Sequence, residues 1–454
     1  MANSPEDDLQ GQVCVLVTGA NSFNPNICPR VGHAIRSGLG FSICCRLADE
    51  FLSAPHRAHQ TLTVVFTTRS TSKGNDTLRR LRDHLRTSSS TETNRVTFIS
   101  ETVDLTNLLS VRALARRLTS PSTAPHKLDA IILNAGLGGW TGIDWPRAIW
   151  GVCTDLVHQV SWPSYKVAPA GVVTAPQTAA PDEPRLGAVF CANVFGHYML
   201  AHYLMPLLHR APAASPGRIV WVSSLEATAS LFDADDLQGL RTLTPYESSK
   251  ALTDILALTA DLPSAAPWVR SFYALEDKRT DEAPPAADAP QPNMYLSHPG
   301  ICGTGILPLS WPLFYAMLSA FWLARLLGSP WHTLSTYLGA CAPVWLALAT
   351  QSALDAAEAG YRERGGGRAK WGSSCDRLGR NSAASTEVDG WGYGGVVGPA
   401  VLDADRARRR KRGARDLTRE EKEQFEELGR TCWKRMEELR VQWEEILDRA
   451  EKAV

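Results

Sequence analysis

A continuous apolar run, Val13–Val17, ends directly in the turn Thr18-Gly19-Ala20-Asn21-Ser22. An apolar run without alternation predicts a strand buried on both faces, as in a parallel sheet. The pattern recurs. Thr61–Thr68, Val96–Glu101, Leu128–Leu133, Arg218–Val222 and Asn293–Ser297 read as strands. Helical patterns run from Gly38 through Phe51 and over Leu108–Leu118, Val189–Leu208 and Tyr246–Leu262, with Leu78–Leu85 inside another. Strands alternating with helices predict a doubly wound α/β fold, a Rossmann-like parallel sheet with helices on both faces.

Segments outside that rhythm divide the chain. Residues 1–305 form the Rossmann-like domain, with insertions at 23–37, 138–184 and 263–292. Residues 306–363 are an apolar helical segment facing substrate or membrane. Residues 364–454 read as a Gly-rich, irregular and basic linker followed by a C-terminal amphipathic helix. In that helix Phe425, Leu428, Cys432, Met436, Leu439, Trp443 and Ile446 share one stripe, which docks on the core or pairs with a partner. The basic run Arg406–Arg415 reads as a solvated linker, with anionic lipid contact and then a nuclear signal as the alternatives.

Lys plus Arg and Asp plus Glu both number 47, so charge points to no nucleic acid partner. The ten cysteines lack metal spacing and fit reduced, mostly buried thiols. The polar, acidic start of the sequence is not a secretory signal peptide. Of the fourteen tryptophans, eight crowd into Trp140–Trp162 and Trp311–Trp345. Such clusters mark a membrane interface or a large apolar ligand site.

Tyr246 and Lys250 lie four apart, so on a helix both leave one face. A cation there favours the phenolate and draws the tyrosine pKa down, which tunes a proton donor. The spacing alone is also common on solvated helix faces. In dinucleotide folds the first strand feeds a glycine turn and the next helix points its N-terminus at the pyrophosphate. Here Thr18-Gly19-Ala20-Asn21-Ser22 and Gly38-Leu39-Gly40 are separated by Phe23–Ser37. The intervening piece reads as an unremoved intron or gene-model artefact, with a functional loop as the alternative. The chain as written is expected to bind cofactor poorly.

With the join restored, the ordered landmarks resemble the short-chain dehydrogenase/reductase superfamily over about residues 12–305. They are the Thr18…Gly40 loop, Asp104 in Val-Asp-Leu-Thr, Asn134-Ala135-Gly136, Asn193 in Ala-Asn-Val-Phe-Gly, Ser223-Ser224, Tyr246…Lys250 and Pro299-Gly300…Thr304. A closer resemblance is to the fungal 3-keto-steroid reductases of ergosterol synthesis. It is carried by Gly38-Leu-Gly-Phe-Ser-Ile-Cys-Cys-Arg-Leu, Phe66-Thr-Thr-Arg-Ser, Ser297-His-Pro-Gly-Ile-Cys302, Lys370-Trp-Gly, Asp389-Gly-Trp-Gly-Tyr393 and Met436-Glu-Glu-Leu-Arg440.

The resemblance implies hydride transfer from a reduced nicotinamide to a ketone. Tyr246 would donate the proton, with Lys250 lowering its pKa and holding the nicotinamide ribose. Ser224 would hydrogen-bond the substrate oxygen, and Asn193 would anchor a water relaying protons through Lys250. Gly19, Ser22, Gly38, Leu39 and Gly40 would cradle the cofactor. Asp104 would meet the adenine end, Asn134, Ala135 and Gly136 would line the cleft, and Thr304 would meet the carboxamide. After the second strand, Thr68-Arg69-Ser70-Thr71-Ser72-Lys73 contains no acid, so NADPH is favoured over NADH.

The substrate implied is a sterol ketone, and the partners implied are other enzymes of the sterol C-4 demethylation complex. A membrane or lipid-droplet surface follows from the substrate's insolubility. The endoplasmic reticulum membrane or a lipid droplet is then the expected location, with the catalytic domain facing the cytoplasm. Ile306–Leu327 is long enough to span, whereas His332 and Pro343 weaken Trp331–Thr350. Monotopic attachment is expected rather than spanning, and a buried helix pair closing the substrate pocket is the alternative. Trp140–Trp162 would be a lid or an interfacial patch. Two other functions stay open, a reductase of another lipophilic ketone and a catalytically impaired scaffold of the sterol complex.

Overall fold

A computed structural model describes residues 11–20, 38–87, 92–122, 125–178, 180, 183–212, 214–274, 291–307 and 309–452. Ser22, Phe23–Ser37 and most of the 263–292 insertion lie outside the described residues. The main sheet has eight strands: β1 (Gln12–Val17), β2 (Thr61–Thr68), β3 (Val96–Thr102), β4 (Ala130–Leu133), β7 (Arg218–Val222), β8 (Asn293–His298), β9 (Lys370–Cys375) and β10 (Asn381–Thr386). Their order is β10-β9-β8-β7-β4-β1-β2-β3, and only the β9–β10 pair is antiparallel. β5 (Gly142–Ile143) and β6 (Lys166–Val167) form a separate hairpin.

Alternation along the strands sorts the core onto two faces. Cys14, Leu16, Ile131, Leu133, Ile219 and Trp221 face one side. There they meet α3 (Leu108–Thr119), α6 (Gly196–Tyr203), α7 (Pro245–Thr259) and α8 (Ala266–Tyr273). Val13, Val15, Val17, Ile132, Val220 and Val222 face the other, against α1 (Leu39–Ser53) and α10 (Cys341–Leu348). The strand order reverses between β1 and β4, where open α/β sheets bind ligands.

Four expectations change. The 364–398 stretch is not irregular, because β9 and β10 add two strands to the sheet. Gly, Ser and Ala dominate β9 and β10, and such residues are depleted in strands or weakly strand-forming. The small residues answer to packing: a Cβ at Gly372 would lie 2.2 Å from Nε2 of His298. The 138–184 segment is not one long loop. It contains the β5–β6 hairpin with α4 (Trp145–Thr154) and α5 (Leu156–Ser161) between its strands.

Ile306–Leu327, long enough in sequence to span, is not one long helix. α9 (Trp311–Leu326) is short, and no single helix among the described residues is long and apolar enough to cross a membrane. The Thr336–Leu348 and Gln351–Arg362 helices pass such a test only as a pair bent by 104°. Ala342, Val344 and Leu346 of that pair are fully buried in the domain core. Finally, the basic run is not freely solvated. Arg408 pairs with Asp405 at 3.0 Å, and Arg410 reaches Glu387 and Asp416.

The stripe on α12 (Arg419–Lys452) docks on the core. Phe425, Cys432, Met436, Trp443 and Ile446 are buried, and Leu428 and Leu439 pack partly against the same cluster. Trp433 donates its indole N–H to the Leu256 carbonyl on α7 at 3.2 Å. Tyr198 of α6 donates to Glu437 at 2.6 Å.

Candidate active site

Every residue of α7 is buried, so Tyr246 and Lys250 share a face inside the protein rather than on its surface. Thr244-Pro245 starts the helix, with proline at the first turn where its missing N–H costs nothing. Ser223 and Ser224 follow the end of β7, and the Ser224 hydroxyl, which accepts the Glu226 N–H at 3.1 Å, is near enough to the Tyr246 phenol to lower its pKa. The Lys250 ammonium lies 5.9 Å from the Tyr246 ring centre and donates to the Val222 carbonyl at 2.8 Å.

The electrostatics correct one expectation. Lys250 does not draw the Tyr246 pKa down. Burial pushes it up, the Glu226 carboxylate adds to this, and the Ser224 hydroxyl works the other way. Burial lowers Lys250 to about 8, opposed by Asp254 and reinforced by Lys370. The tyrosine therefore holds its proton firmly, while the lysine sits where its charge is readily lost.

Asn193 sits in a π-helical turn, Cys191–Phe195, a local widening that often marks functional positions. Its Oδ1 accepts the Leu137 N–H at 2.6 Å, and its Nδ2 donates to the Leu137 carbonyl and the Ser249 hydroxyl, both at 3.0 Å. Ser249 donates in turn to the Tyr246 carbonyl at 2.7 Å. The amide thus ties the loop after β4 to α7, as a buried amide satisfied largely by backbone. No described bond joins it to Lys250.

The halves of the interrupted glycine motif meet. Gly19 has φ +70°, the left-handed region that favours glycine, and a Cβ there would lie 2.8 Å from Ala135 Cα. A Cβ at Gly40 would lie 2.3 Å from the Gly19 carbonyl and 2.7 Å from Nδ2 of Asn134. Gly38 caps α1 without a side-chain hydrogen bond, and Leu39 is its first residue. The Thr18 hydroxyl accepts the N–H groups of Asn134 and Ala135 at 2.8 and 3.1 Å.

Behind this turn, His197 of α6 is buried and its pKa is lowered to about 3, so it is neutral. Its Nδ1 faces the Asn193 carbonyl at 3.1 Å and must donate, so Nε2, 2.8 Å from the Thr18 hydroxyl, accepts. The buried Oδ1 of Asn134 has no hydrogen-bond partner among the described residues. A glycine cradle, a bare helix N-terminus and an unpartnered acceptor fit a dinucleotide.

The other expected positions are spread around this cleft. Thr68 is buried and donates to the Ser70 carbonyl at 2.9 Å. Arg69 and Lys73 are exposed, and neither pairs with an acid among the described residues. They lie at the start of α2 (Thr71–Thr87). Asp104 accepts the Thr106 N–H and hydroxyl on one oxygen, at 2.9 and 2.7 Å. Gly136 lies beside Asn193, where a Cβ would come within 3.4 Å of Oδ1. Thr304 is half-buried on the loop after β8.

Sequence reasoning offered Trp140–Trp162 as a lid but did not find which residues cover Tyr246. Trp140 lies 4.6 Å from it, ring centre to ring centre. The Lys166 ammonium sits 3.8 Å from the Trp140 ring centre and holds the Glu226 carboxylate at 2.5 Å. Trp140 and Lys166 come from the insertion, and no periodicity ties them to α7. The tryptophan clustering was the only signal.

No protein-family model matches the chain. Solved structures of similar arrangement are distant. A short-chain type dehydrogenase/reductase from Mycobacterium ulcerans has TM-score 0.37 and 16% identity, over 75% of this chain and 84% of that one. A Pseudomonas aeruginosa RhlG/NADP complex also has TM-score 0.37 and 16% identity, over 75% and 90%.

Sequence relatives are much nearer. The 3-keto-steroid reductase erg27 of Aspergillus fumigatus is 68% identical over 455 residues, covering 98% of this chain and 97% of the relative. The protein of the same name from Gibberella zeae is 41% identical over 491 residues, 98% of each chain. That of Schizosaccharomyces pombe is 30% identical over 355 residues, covering 78% of this chain and 88% of the relative. With an intact Ser224–Tyr246–Lys250 group on a doubly wound sheet, the chain is an oxidoreductase of the fungal 3-keto-steroid reductase family.

Proposed function

We propose that the protein reduces the 3-ketone of a sterol to a 3β-hydroxyl, with NADPH as reductant, in the steps that remove the C-4 methyl groups during ergosterol synthesis. The observation that carries the chemistry is the buried Tyr246 phenol with the Ser224 hydroxyl near enough to act on its pKa and the Lys250 ammonium 5.9 Å from its ring. The names of the relatives at 68% and 41% identity supply the substrate class. Bound in the cleft, the nicotinamide supplies a hydride to the ketone carbon.

This chain's residues do the rest. Ser224 donates toward the carbonyl oxygen as negative charge grows on it, and Tyr246 gives that oxygen its proton. Burial and Glu226 keep the proton on Tyr246 until the developing alkoxide, a far stronger base, takes it. Lys250 would hold the ribose, Gly19 and the α1 N-terminus the pyrophosphate, and Arg69 with Lys73 a 2′-phosphate. Trp140 offers the flat apolar sterol a wall beside Tyr246.

The test is turnover of a 3-ketosterol by purified protein, followed by loss of nicotinamide absorbance and by product stereochemistry. Wild type should reduce the ketone, and Tyr246→Phe should lose about 10²- to 10⁴-fold in kcat, the usual range for a general acid. Absence of turnover by wild type, or an unimpaired Tyr246→Phe, would refute the assignment.

The same reading puts the enzyme on the endoplasmic reticulum membrane or a lipid droplet, its catalytic domain toward the cytoplasm, beside the other C-4 demethylation enzymes. An apolar surface supports it. Val157 and Val160 of α5 pack on Phe321 and Ala324 of α9, which joins two segments distant in sequence. Trp150 (73%) and Ile149 of α4 are exposed, as are Trp311 (58%), Trp322 (55%), Leu323 and Leu326 of α9. Exposed tryptophan and leucine suit the headgroup–acyl boundary.

A further inference from the structure

Lys370 opens β9, a strand reached only after the long apolar segment, yet its side chain ends in the catalytic centre. Its ammonium donates to the Ser224 carbonyl at 2.7 Å and to the Asp254 carboxylate at 2.5 Å. Asp254 lies one helical turn beyond Lys250 on α7 and also accepts the Ser223 hydroxyl at 2.5 Å. Ser223, Lys250, Asp254 and Lys370 are all almost wholly buried. One ion pair therefore clamps the segment carrying Ser224 to the helix carrying Tyr246 and Lys250. Low dielectric makes such a bond strong and its loss costly.

We infer that the Lys370–Asp254 pair is a positioning device for the reaction, fixing the Ser224 backbone against the helical turn of Lys250. The inference rests on the proposed reduction for its turnover arm. Its electrostatic arm rests on Lys250 alone. The titratable groups facing Lys250 are Asp254 and Tyr246 on α7, Lys370 on β9 and His197 on α6. Asp254 keeps the proton on Lys250 and Lys370 repels it. Removing either partner therefore moves the loss of the Lys250 charge in opposite directions.

The experiment compares Lys370→Met, Asp254→Asn and the double variant Lys370→Met/Asp254→Leu. NADPH binding is titrated against pH, turnover of a 3-ketosterol is measured, and folding is checked by melting. In Lys370→Met the pH at which binding weakens should rise, and in Asp254→Asn it should fall. The double variant removes both charges without stranding either, so it should fold. Its kcat should drop about 10- to 100-fold through misplacement of Ser224, with KM for NADPH little changed.

A purely structural pair would lower melting temperatures without moving the two binding limbs in opposite directions. Limbs that stay at the wild-type pH in both single variants, or wild-type kcat in the double variant, would overturn the inference. Wild-type protein that binds NADPH but reduces no ketosterol would refute the proposed function and leave the binding arm intact as a test.

Discussion

At Tyr246 the proposed reduction makes two opposing demands. The phenol must keep its proton until the ketone oxygen becomes basic, and the lysine beside it must stay charged to hold a ribose. Tyr246 meets the first through burial and Glu226. Lys250 meets the second only below about pH 8, because its folded-state pKa is depressed to that value. Above it the ammonium is lost. Ketone reduction should therefore fall as pH rises through about 8, read from kcat/KM profiles, and a profile flat to pH 10 would refute the assignment. Arg69 carries a second prediction. Arg69→Glu should weaken NADPH more than NADH in binding titrations, because a carboxylate repels the 2′-phosphate and can accept from a 2′-hydroxyl. A proportional loss of both would count against it.

At this scale the Tyr246–Lys250 pair was legible because one helix sets its spacing, and Ser224 and Asn193 because their motifs resemble those of the family. Trp140, Lys166, Glu226 and Lys370 were not, because each reaches the site from a segment whose path only the fold determines.

Among the elements, the strands were legible where burial on both faces made them continuously apolar, as in Val13–Val17. β9 and β10 escaped notice because Gly372, Ser373, Ser374, Ala383 and Ala384 are small and polar or neutral. Their strand character comes from sheet pairing and from tight contact with His298 and Trp331 rather than from propensity.

Gly40 is the most demanding point among the elements. A Gly40→Ala side chain would strike the Gly19 carbonyl, so the glycine turn and α1 must separate. Nicotinamide binding should weaken by about tenfold or more, with melting lowered modestly, measurable by fluorescence titration and calorimetry. Trp443 is fully buried where α12 meets the core. Trp443→Ala should cost about 3–5 kcal/mol of stability in a denaturant titration.

For the whole molecule, the exposed tryptophans of α4 and α9 predict how the enzyme meets its substrate. Replacing Trp150 and Trp322 by Ser should release the protein from phosphatidylcholine/phosphatidylserine vesicles in flotation, while turnover of detergent-solubilised ketosterol stays near wild type. Undiminished flotation would remove the membrane role from these residues. The Phe23–Ser37 piece is a separate question, outside the described residues. Deleting it should strengthen NADPH binding, and equal affinity with and without it would refute the reading that it impairs the loop.

The α12 docking has a consequence for how the protein is made. The residues that flank β1 and carry Tyr246 leave the ribosome long before residues 425–447, which cover the same core. Until then the outer faces of α6 and α7 have no cover, and Glu437, the partner of Tyr198, does not yet exist. A nascent chain stalled before residue 425 would therefore expose apolar surface and present itself to chaperones as unfinished. Quality control, rather than lost chemistry, would be the first system to register a late truncation.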